Sequence, residues 1–422
     1  MTHISAPDGA PVLTPVSTPA PRRADGETGA EPGAEGRARR RMSLTAAGIA
    51  IGLFVVARLA GVAVLALATR GEDRQTLGML GRSWDSLWYL SIASEGYGLT
   101  LRMGAGVIAN DLAFFPLYPG LVRAVTELTA LSGGAAGLVV AWLAAAAAAW
   151  GIYAVGDLLR GRAVAVALVV LWGLLPHSIV LSMGYTEPLL TALAAWSLYA
   201  VLTGRWLWAG TLAALAGLTR PNGLAVAAAV VAAAAYEVWR ARRRGDGVSH
   251  RLWIGAALAP LGWGMYVLWV GRRTGDTLGG YFEVQRLWGS SFDFGLHTMR
   301  FVKHMLVHGG RLPTTHLVLF AVAIVIVAAG LLLFWRLIAG RAPLPLLVYS
   351  GVLLLIAVGG SGYLASKPRF VLPAFPLLLP LAGVLARTAK ARPWRASVLV
   401  AALAGLSFTY GAFVVTMSDL AP

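Results

Sequence analysis

The stretch LVLFAVAIVIVAAGLLLFW (317–335) is 19 residues long and contains no charged side chain. As an α-helix rising 1.5 Å per residue it would reach about 28 Å, close to the ~30 Å hydrocarbon core of a bilayer. Similar apolar runs recur along the 422 residues. The sequence therefore predicts a protein that crosses the membrane many times.

Composition supports this interpretation and favours helices over a barrel. Hydrophobic residues make up 58% of the chain and charged residues only 13%, against about 25% charged residues in soluble domains. The apolar runs lack the period-two alternation of barrel strands. An all-α polytopic membrane protein is therefore predicted.

The formal charge of +16 follows from membrane topology rather than from nucleic-acid binding. Most arginines lie in short loops between apolar runs, where the positive-inside rule places them. The chain has no cysteine, which excludes disulfides and cysteine-ligated metals. Its seven histidines are not expected to form a metal site.

We predict a disordered cytoplasmic tail over 1–42, rich in Pro, Ala, Gly and Arg, and a polytopic domain over 43–418. No apolar stretch precedes Met42, so these residues do not form a signal peptide. Eleven spans are predicted: 43–69, 135–157, 163–184, 188–203, 206–219, 222–240, 252–271, 315–337, 344–360, 369–387 and 395–416.

The first extracytoplasmic loop, 70–133, contains two amphipathic stretches, 85–95 and 114–131, predicted to lie flat at the interface. Arg123 and Glu127 interrupt the second stretch, and Pro116 and Pro119 break its start. With 114–131 flat, 20 of the 35 Lys and Arg residues are cytoplasmic, 14 are extracytoplasmic and Arg58 lies within the first span. Counting 114–131 as a span would put the basic run 240–251 outside, against the positive-inside rule.

This topology places four motifs and the second outer loop, 272–314, on the extracytoplasmic face. The motifs are SWDSLWYLSIASEGYG (83–98), SMGYTEP (182–188), LTRPNG (218–223) and SKPRF (366–370). Segment 206–219 is short for a span, and Pro221 breaks it. The chain is therefore expected to turn beside protein or a wet cavity near Arg220.

Two carboxylates are the main candidates for chemistry. Asp85 lies between Trp84 and Trp88, where partial desolvation would raise the pKa of a carboxyl group and suit it to accept a proton. The alternative is that Asp85 caps a helix. Glu187 precedes Pro188 at the start of a span, where a helix-dipole role is the alternative. Glu95 and Asp111 could be solvated loop residues.

Cations near the membrane boundary are costly and usually have a partner. Arg220 and Arg369 each adjoin a proline. The planar guanidinium group of arginine can bind a phosphate group through two hydrogen bonds. Snorkelling to lipid headgroups is the alternative. Lys367 could assist Arg369. Arg58, in mid-span, would pair with a buried carboxylate or face a cavity.

Aromatic and polar side chains complete the candidates. Four tyrosines on the same face suit either sugar stacking or an interfacial belt: Tyr97, Tyr118, Tyr185 and Tyr363. Trp84 and Asn222 lie within the motifs and are candidates for donor binding. His177, beside Pro176, is expected to be a satisfied polar group.

The motifs WDSLWYLSIASEGY, FFPLYP, SMGYTEP, LTRPNG and SKPRFVLPAFP occur in this order over about 43–390. This arrangement resembles the PIG-V-type mannosyltransferases, membrane glycosyltransferases of the GT-C fold. The resemblance implies transfer of mannose, with inversion, from a polyprenyl-phosphate donor at the extracytoplasmic face. It places the catalytic base at Asp85, assigns Arg220 and Arg369 to the lipid-phosphate leaving group, and lets Glu187 orient hydroxyl groups.

No D-x-D motif follows Asp85, so no metal or cofactor is expected. The Ala, Gly and Arg bias suggests a bacterial plasma membrane. The acceptor stays open among phospholipid, polysaccharide and protein hydroxyls. The alternatives are a lipid or sugar transporter, which needs polar groups along a path through several spans, and an inactive scaffold.

Overall fold

The computed structural model describes residues 32–70, 75–102, 108–308, 313–418 and 420–421, with side chains from Ser43 onward except Leu306 and His308. Residues Leu44–Pro422 form one compact unit, separate from Met1–Ser43. The helices are α1 (Pro32–Ala68), α2 (Thr76–Gly81), α3 (Asp85–Glu95), α4 (Leu117–Leu128), α5 (Gly133–Arg160), α6 (Arg162–Gly173), α7 (Glu187–Leu202), α8 (Trp206–Gly217), α9 (Leu224–Arg244), α10 (His250–Leu258), α11 (Leu261–Thr274), α12 (Gly280–Leu287), α13 (Leu296–His308), α14 (Thr314–Ala339), α15 (Leu344–Gly359), α16 (Lys367–Val371), α17 (Leu379–Ala391) and α18 (Pro393–Met417).

Each of the eleven predicted spans corresponds to an apolar helix or helix pair. Six helical segments in the described residues are long and apolar enough to cross a membrane, and two further bent pairs raise the number to eight. The remaining three, α7, α8 and α15, have 16, 12 and 16 residues. At 1.5 Å per residue these reach only about 18–24 Å. The all-α polytopic fold is confirmed, and eleven stays a prediction for the number of crossings.

Two predicted spans are sharply bent. The span 163–184 bends by 85° between α6 and a 3-10 helix over Pro176–Ser182, and the span 369–387 bends by 77° between α16 and Phe375. Proline is the physical cause, because it removes a backbone N–H donor and clashes with the preceding turn. Pro176 lies at the first bend and Pro373 at the second.

The tail prediction requires a correction where the structure describes it. Residues 32–42 belong to helix α1, whereas 1–31 lie outside the described residues. The sequence PGAEGRARRRM (32–42) has Pro in the first turn, where it is tolerated, followed by Ala, Glu and Arg, which favour helices.

The first outer loop forms α2, α3, α4 and a short hairpin. Strands β1 (Thr100–Arg102) and β2 (Ile108–Asn110) pair antiparallel, with Thr100 opposite Asn110, and were not predicted. Helix α4 reaches about 18 Å, too short to cross a bilayer. Tyr118 and Val122 are buried on one side, while Arg123 and Glu127 form an exposed ion pair on the other. Both stretches are helical, and α4 is amphipathic as predicted, whereas α3 buries Ser86 and exposes Leu87. The orientation of both helices in a membrane stays a prediction.

Candidate functional site

Four charged side chains from distant parts of the chain meet in one ion-pair cluster. The Asp85 Oδ2 atom lies 2.8 Å from Nη2 of Arg369. Oε1 of Glu187 contacts Nη1 of Arg220 and lies 3.8 Å from Nε of Arg369. We call Asp85, Glu187, Arg220 and Arg369 the four-charge cluster. All four were predicted as site residues, and the structure brings them together.

The cluster is removed from solvent to different degrees. The side chains of Glu187, Arg369, Arg220 and Asp85 are 1%, 8%, 10% and 21% exposed. Two carboxylates balance two guanidinium groups, as burial of charge requires. Asp85 is therefore the member that a substrate can most readily reach.

Local backbone structure places each charge at the end of an element. Asp85 and Glu187 are the first residues of α3 and α7, where the helix dipole favours a carboxylate. Arg220 is extended between α8 and a 3-10 turn at Pro221–Gly223. Arg369 lies in α16, a helix of five residues.

The capping interpretation of Asp85 is wrong. The residue before the helix is Trp84, which has a φ of +49°, and no side chain caps the first turn of α3. A non-glycine residue at positive φ is unusual and requires support from its surroundings. The Asp85 carboxylate is instead aligned with Arg369.

Several N–H donors in the cluster have no hydrogen-bond partner within the described part of the chain. They are Nε and Nη1 of Arg369, Nε of Arg220 and Nδ2 of Asn222. Asn222 is 5% exposed. Buried polar groups are nearly always satisfied, so a set of orphan donors beside two guanidinium groups is suited to an anion.

Sequence reasoning missed three residues that support the cluster. Thr186 accepts a hydrogen bond from Nη1 of Arg220 at 3.5 Å, and its hydroxyl lies 3.2 Å from that of Tyr89. The ring of Phe370 lies 5.6 Å and 5.4 Å from the guanidinium carbons of Arg220 and Arg369. Two signals in the sequence could have identified these residues. Tyr89 lies one helical turn after Asp85, and Thr186 and Phe370 are the chain neighbours of Glu187 and Arg369.

Tyr185 supplies a second aromatic face to the cluster. Its ring centre lies 5.4 Å from the guanidinium carbon of Arg369, within cation–π range. Burial, reinforced by the Asp85 carboxylate, raises the pKa of both Tyr185 and Tyr89. Both hydroxyls therefore keep their protons at neutral pH.

Other predicted binding residues lie outside the four-charge cluster. Lys367 Nζ donates to Thr298 Oγ1 at 2.7 Å and to the Gly360 carbonyl at 2.9 Å. Tyr97 donates to the Phe114 carbonyl at 2.8 Å. Tyr118 donates to the Gly137 carbonyl, also at 2.8 Å, while its ring contacts Tyr89. Trp84 packs against the main apolar core.

Lys367 thus joins the second outer loop to α16 rather than assisting Arg369. Tyr363 acts similarly, because its hydroxyl donates to the Trp288 carbonyl. These contacts fix the segment that carries Arg369. They give Lys367 and Tyr363 a structural role.

The other outer carboxylates separate into one exposed and one buried residue. Glu95 is exposed, as expected of a loop residue. Asp111 is fully buried and accepts hydrogen bonds from the backbone N–H groups of Gly98 and Leu99 at 2.7 and 2.8 Å. The solvated-loop interpretation of Asp111 is therefore wrong, because this carboxylate holds the 98–99 turn.

Arg58 and His177 both lie at the bend after α6. Arg58 donates to the backbone carbonyls of Ser178 at 2.6 Å and Gly173 at 2.5 Å, so the expected carboxylate partner is replaced by carbonyls that the bend releases. Nε2 of His177 lies 3.3 Å from the Tyr410 hydroxyl. The expected satisfied polar group is therefore realised at Nε2 only, because Nδ1 of His177 has no hydrogen-bond partner within the described residues.

An apolar cavity adjoins the segment that carries Arg369. It has a volume of about 210 Å³ and is partly open. Pro368, Val371 and Leu372 line it from the segment around Arg369, and Ile326 and Leu333 line it from α14. An apolar space beside orphan donors suits a lipid with an anionic head.

No group of three or more His, Asp or Glu residues that could hold a metal ion occurs among the described residues. The four-charge cluster holds two carboxylates, and both contact guanidinium groups.

Comparison with known proteins gives a fold but no family. No family model and no curated protein matches the chain. The structure is similar to that of ArnT from Cupriavidus metallidurans bound to undecaprenyl phosphate, with a TM-score of 0.50, 16% identity and coverage of 87% of this chain and 66% of ArnT. It is also similar to the apo oligosaccharyltransferase of Archaeoglobus fulgidus, with a TM-score of 0.51, 14% identity and coverage of 88% of this chain and 56% of that protein.

Both structures have the GT-C fold, and the chain spans just under two thirds of the first and just over half of the second. At 14–16% identity the likeness concerns the fold. The GT-C fold implied by the sequence resemblance is confirmed.

Proposed function

We propose that this protein is a membrane glycosyltransferase that moves a sugar from a polyprenyl-phosphate donor to an acceptor hydroxyl at the extracytoplasmic face. The observation that carries the proposal is the four-charge cluster, which combines a partly exposed carboxylate, Asp85, with buried arginines that have unfilled donors. A transferase using a lipid-phosphate leaving group needs both a base and a cation.

The reaction follows from these positions. Asp85 accepts the proton of the acceptor hydroxyl as its oxygen attacks the anomeric carbon from the face opposite the phosphate. The bond from the anomeric carbon to the phosphate oxygen breaks, and its electron pair leaves with the lipid phosphate. One inverting displacement results.

The cations act on the leaving group. Within the described residues, Nε and Nη1 of Arg369 and Nε of Arg220 have no hydrogen-bond partner. Charge-assisted hydrogen bonds to a departing phosphate strengthen as its negative charge grows. Asn222 adds a neutral donor. Glu187 is 1% exposed and contacts both arginines, so we assign it to positioning them rather than to binding hydroxyl groups.

The lipid nature of the donor is supported by two observations. Pro368 and Val371, which flank Arg369 in the chain, line the apolar cavity, and we propose that the prenyl chain occupies it. ArnT, whose fold is similar, has been crystallised with undecaprenyl phosphate.

Mannose is our proposal for the sugar, on the sequence resemblance to PIG-V-type enzymes. A cytoplasmic amino terminus, a bacterial plasma membrane and independence from metal and cofactor are proposed with it. Aromatic rings near Asp85 include Trp88, Phe114 and Trp288, with centroids 5.1–5.6 Å apart, and these suit a sugar face.

The test is direct. Membranes containing the protein are incubated with labelled polyprenyl-phosphate-mannose, and the labelled product is identified. Asp85→Asn should lower transfer at least about 1000-fold, because the base is lost, while insertion and melting temperature stay close to wild type. Glu95→Gln, on the exposed end of α3, is the matched control. Full activity of Asp85→Asn would refute the assignment of the base.

A further inference from the structure

The contact between Asp85 and Arg369 bears on when the base can act. Asp85 Oδ2 lies 2.8 Å from Arg369 Nη2. While this ion pair holds, the Oδ2 atom of Asp85 is engaged by Arg369 and is not available to an acceptor hydroxyl.

Arg369 is also the cation best placed for the donor. Its Nε and Nη1 atoms lack hydrogen-bond partners within the described residues, and Pro368 and Val371 on either side of it line the apolar cavity. A phosphodiester at Nη1 would bring a second negative charge to the guanidinium group that already holds Asp85.

Arg220 differs from Arg369 in its partners. Its Nη1 atom contacts Glu187 and Thr186, and neither of these residues is the base. Glu187 also remains near Nε of Arg369 at 3.8 Å. Arg369 can therefore lose Asp85 without becoming a buried cation that lacks a carboxylate.

We propose that Asp85 and the phosphate of the donor compete for the charge of Arg369, so that donor binding releases Asp85 to act as the base. This inference rests on the proposed function. It makes Arg369 a link between the two substrates: the base becomes available only after the lipid-linked sugar is bound.

Thermodynamic linkage gives the inference a measurable consequence. If bound phosphate weakens the Asp85–Arg369 ion pair by some factor, the Asp85 carboxylate weakens phosphate binding by the same factor. Removing the charge of Asp85 should therefore strengthen lipid-phosphate binding in a variant that cannot catalyse transfer. A carboxylate that merely supported the site would give the opposite result when removed.

The experiment measures binding of undecaprenyl phosphate, used as the probe, to the full-length protein in detergent. Asp85→Asn should bind the probe about tenfold more tightly than wild type, the scale expected for one like charge removed from a partly buried site. Glu95→Gln, which removes an exposed carboxylate from the same helix, should bind as wild type does. Asp85→Ala should reproduce the gain, which separates the effect of charge from that of the amide.

A double-variant cycle identifies the cation. In an Arg369→Lys background the gain in binding from Asp85→Asn should shrink to less than about threefold. Lysine lacks the planar guanidinium group for which Asp85 and the phosphate compete. Equal or weaker binding by Asp85→Asn and Asp85→Ala, with normal binding by wild type, would overturn the competition and leave the proposed transferase standing. Failure of wild type itself to bind undecaprenyl phosphate would count against the proposed function.

Discussion

The two ends of helix α9 present arginines in opposite circumstances. Four residues before its first residue, Leu224, Arg220 is 10% exposed on its side chain and contacts the buried Glu187. At its end, about 32 Å from Leu224 at 1.5 Å per residue, Arg242, Arg243 and Arg244 are exposed, and Arg243 lies over the Trp239 ring at 4.4 Å.

The difference separates two reasons for placing arginine in a membrane protein. An exposed arginine at a helix end costs little and sets topology. A buried arginine requires a carboxylate, and removing one partner leaves a costly charge. We therefore expect substitutions at the start of α9 to affect activity and stability, and those at its end to affect neither.

The largest expected effect is an all-or-none difference in sidedness. The chain has no native cysteine, so Leu128→Cys and Gly247→Cys each give a single site. Leu128 is 84% exposed on α4, and an added side chain at Gly247 meets no neighbour. An impermeant maleimide applied to intact cells should label position 128 and leave 247 unlabelled until the membrane is opened. The reverse pattern would invert the proposed topology.

The next largest effect concerns replacement of arginine by lysine at one buried and one exposed position, Arg369 and Arg243. Arg369→Lys keeps the charge but loses the planar fork, and we expect sugar transfer to fall about 100-fold. Arg243→Lys at the far end of α9 should change transfer less than about twofold. Initial rates with labelled lipid-linked sugar measure both, and equal losses would show that the cluster has no special role in transfer.

The loss of stability when a carboxylate is neutralised should be larger for a buried carboxylate than for an exposed one. Glu187→Gln leaves two guanidinium groups short of a charge, and we expect a loss of about 3–5 kcal/mol, seen as a lower melting temperature in detergent. Glu237→Gln is the matched change near the end of α9, where Glu237 lies 4.0 Å from Arg240 and both are 45% exposed. Its effect should stay below about 1 kcal/mol. A similar loss of stability in both variants would show that burial of the ion pair does not determine its contribution.

The smallest effect is expected at the hydroxyl groups of Tyr89 and Thr186, which support Arg220. Tyr89→Phe removes the contact with Thr186 and should cost about 1 kcal/mol of stability. Transfer should fall severalfold because Arg220 is less firmly held. Thr186→Ser keeps a hydroxyl and should retain most activity, whereas a loss as large as that of Tyr89→Phe would show that the methyl group matters more than the hydrogen bond.

Sequence reasoning singled out the four charged residues for a physical reason. Charge near a bilayer is costly, so Asp85, Glu187, Arg220 and Arg369 were conspicuous in an apolar chain. Their pairing was not predictable, because Asp85 and Arg369 are 284 positions apart and only tertiary packing brings them together. Thr186 and Tyr89 were missed because hydroxyls are common at membrane interfaces and carry little information on their own.

The same contrast applies to the fold. Apolar runs located the six to eight helical segments of the described residues that are long and apolar enough to cross a membrane, because length and hydropathy are local properties. The bends at Pro176 and Pro373 were missed because a proline inside an apolar run can also be accommodated by a kinked helix. The buried Asp111 was assigned to solvent because the two backbone N–H groups that satisfy it cannot be identified without coordinates.

Arg58 has a consequence for how variation in this chain is tolerated. Its two Nη atoms reach carbonyls on both sides of an 85° bend, and the chain from this bend leads directly into the loop that presents Glu187. Lysine has one nitrogen and cannot bridge both oxygens in the same way. A conservative-looking change in the first helix would therefore behave like an active-site lesion, and random mutagenesis should recover it among loss-of-function alleles.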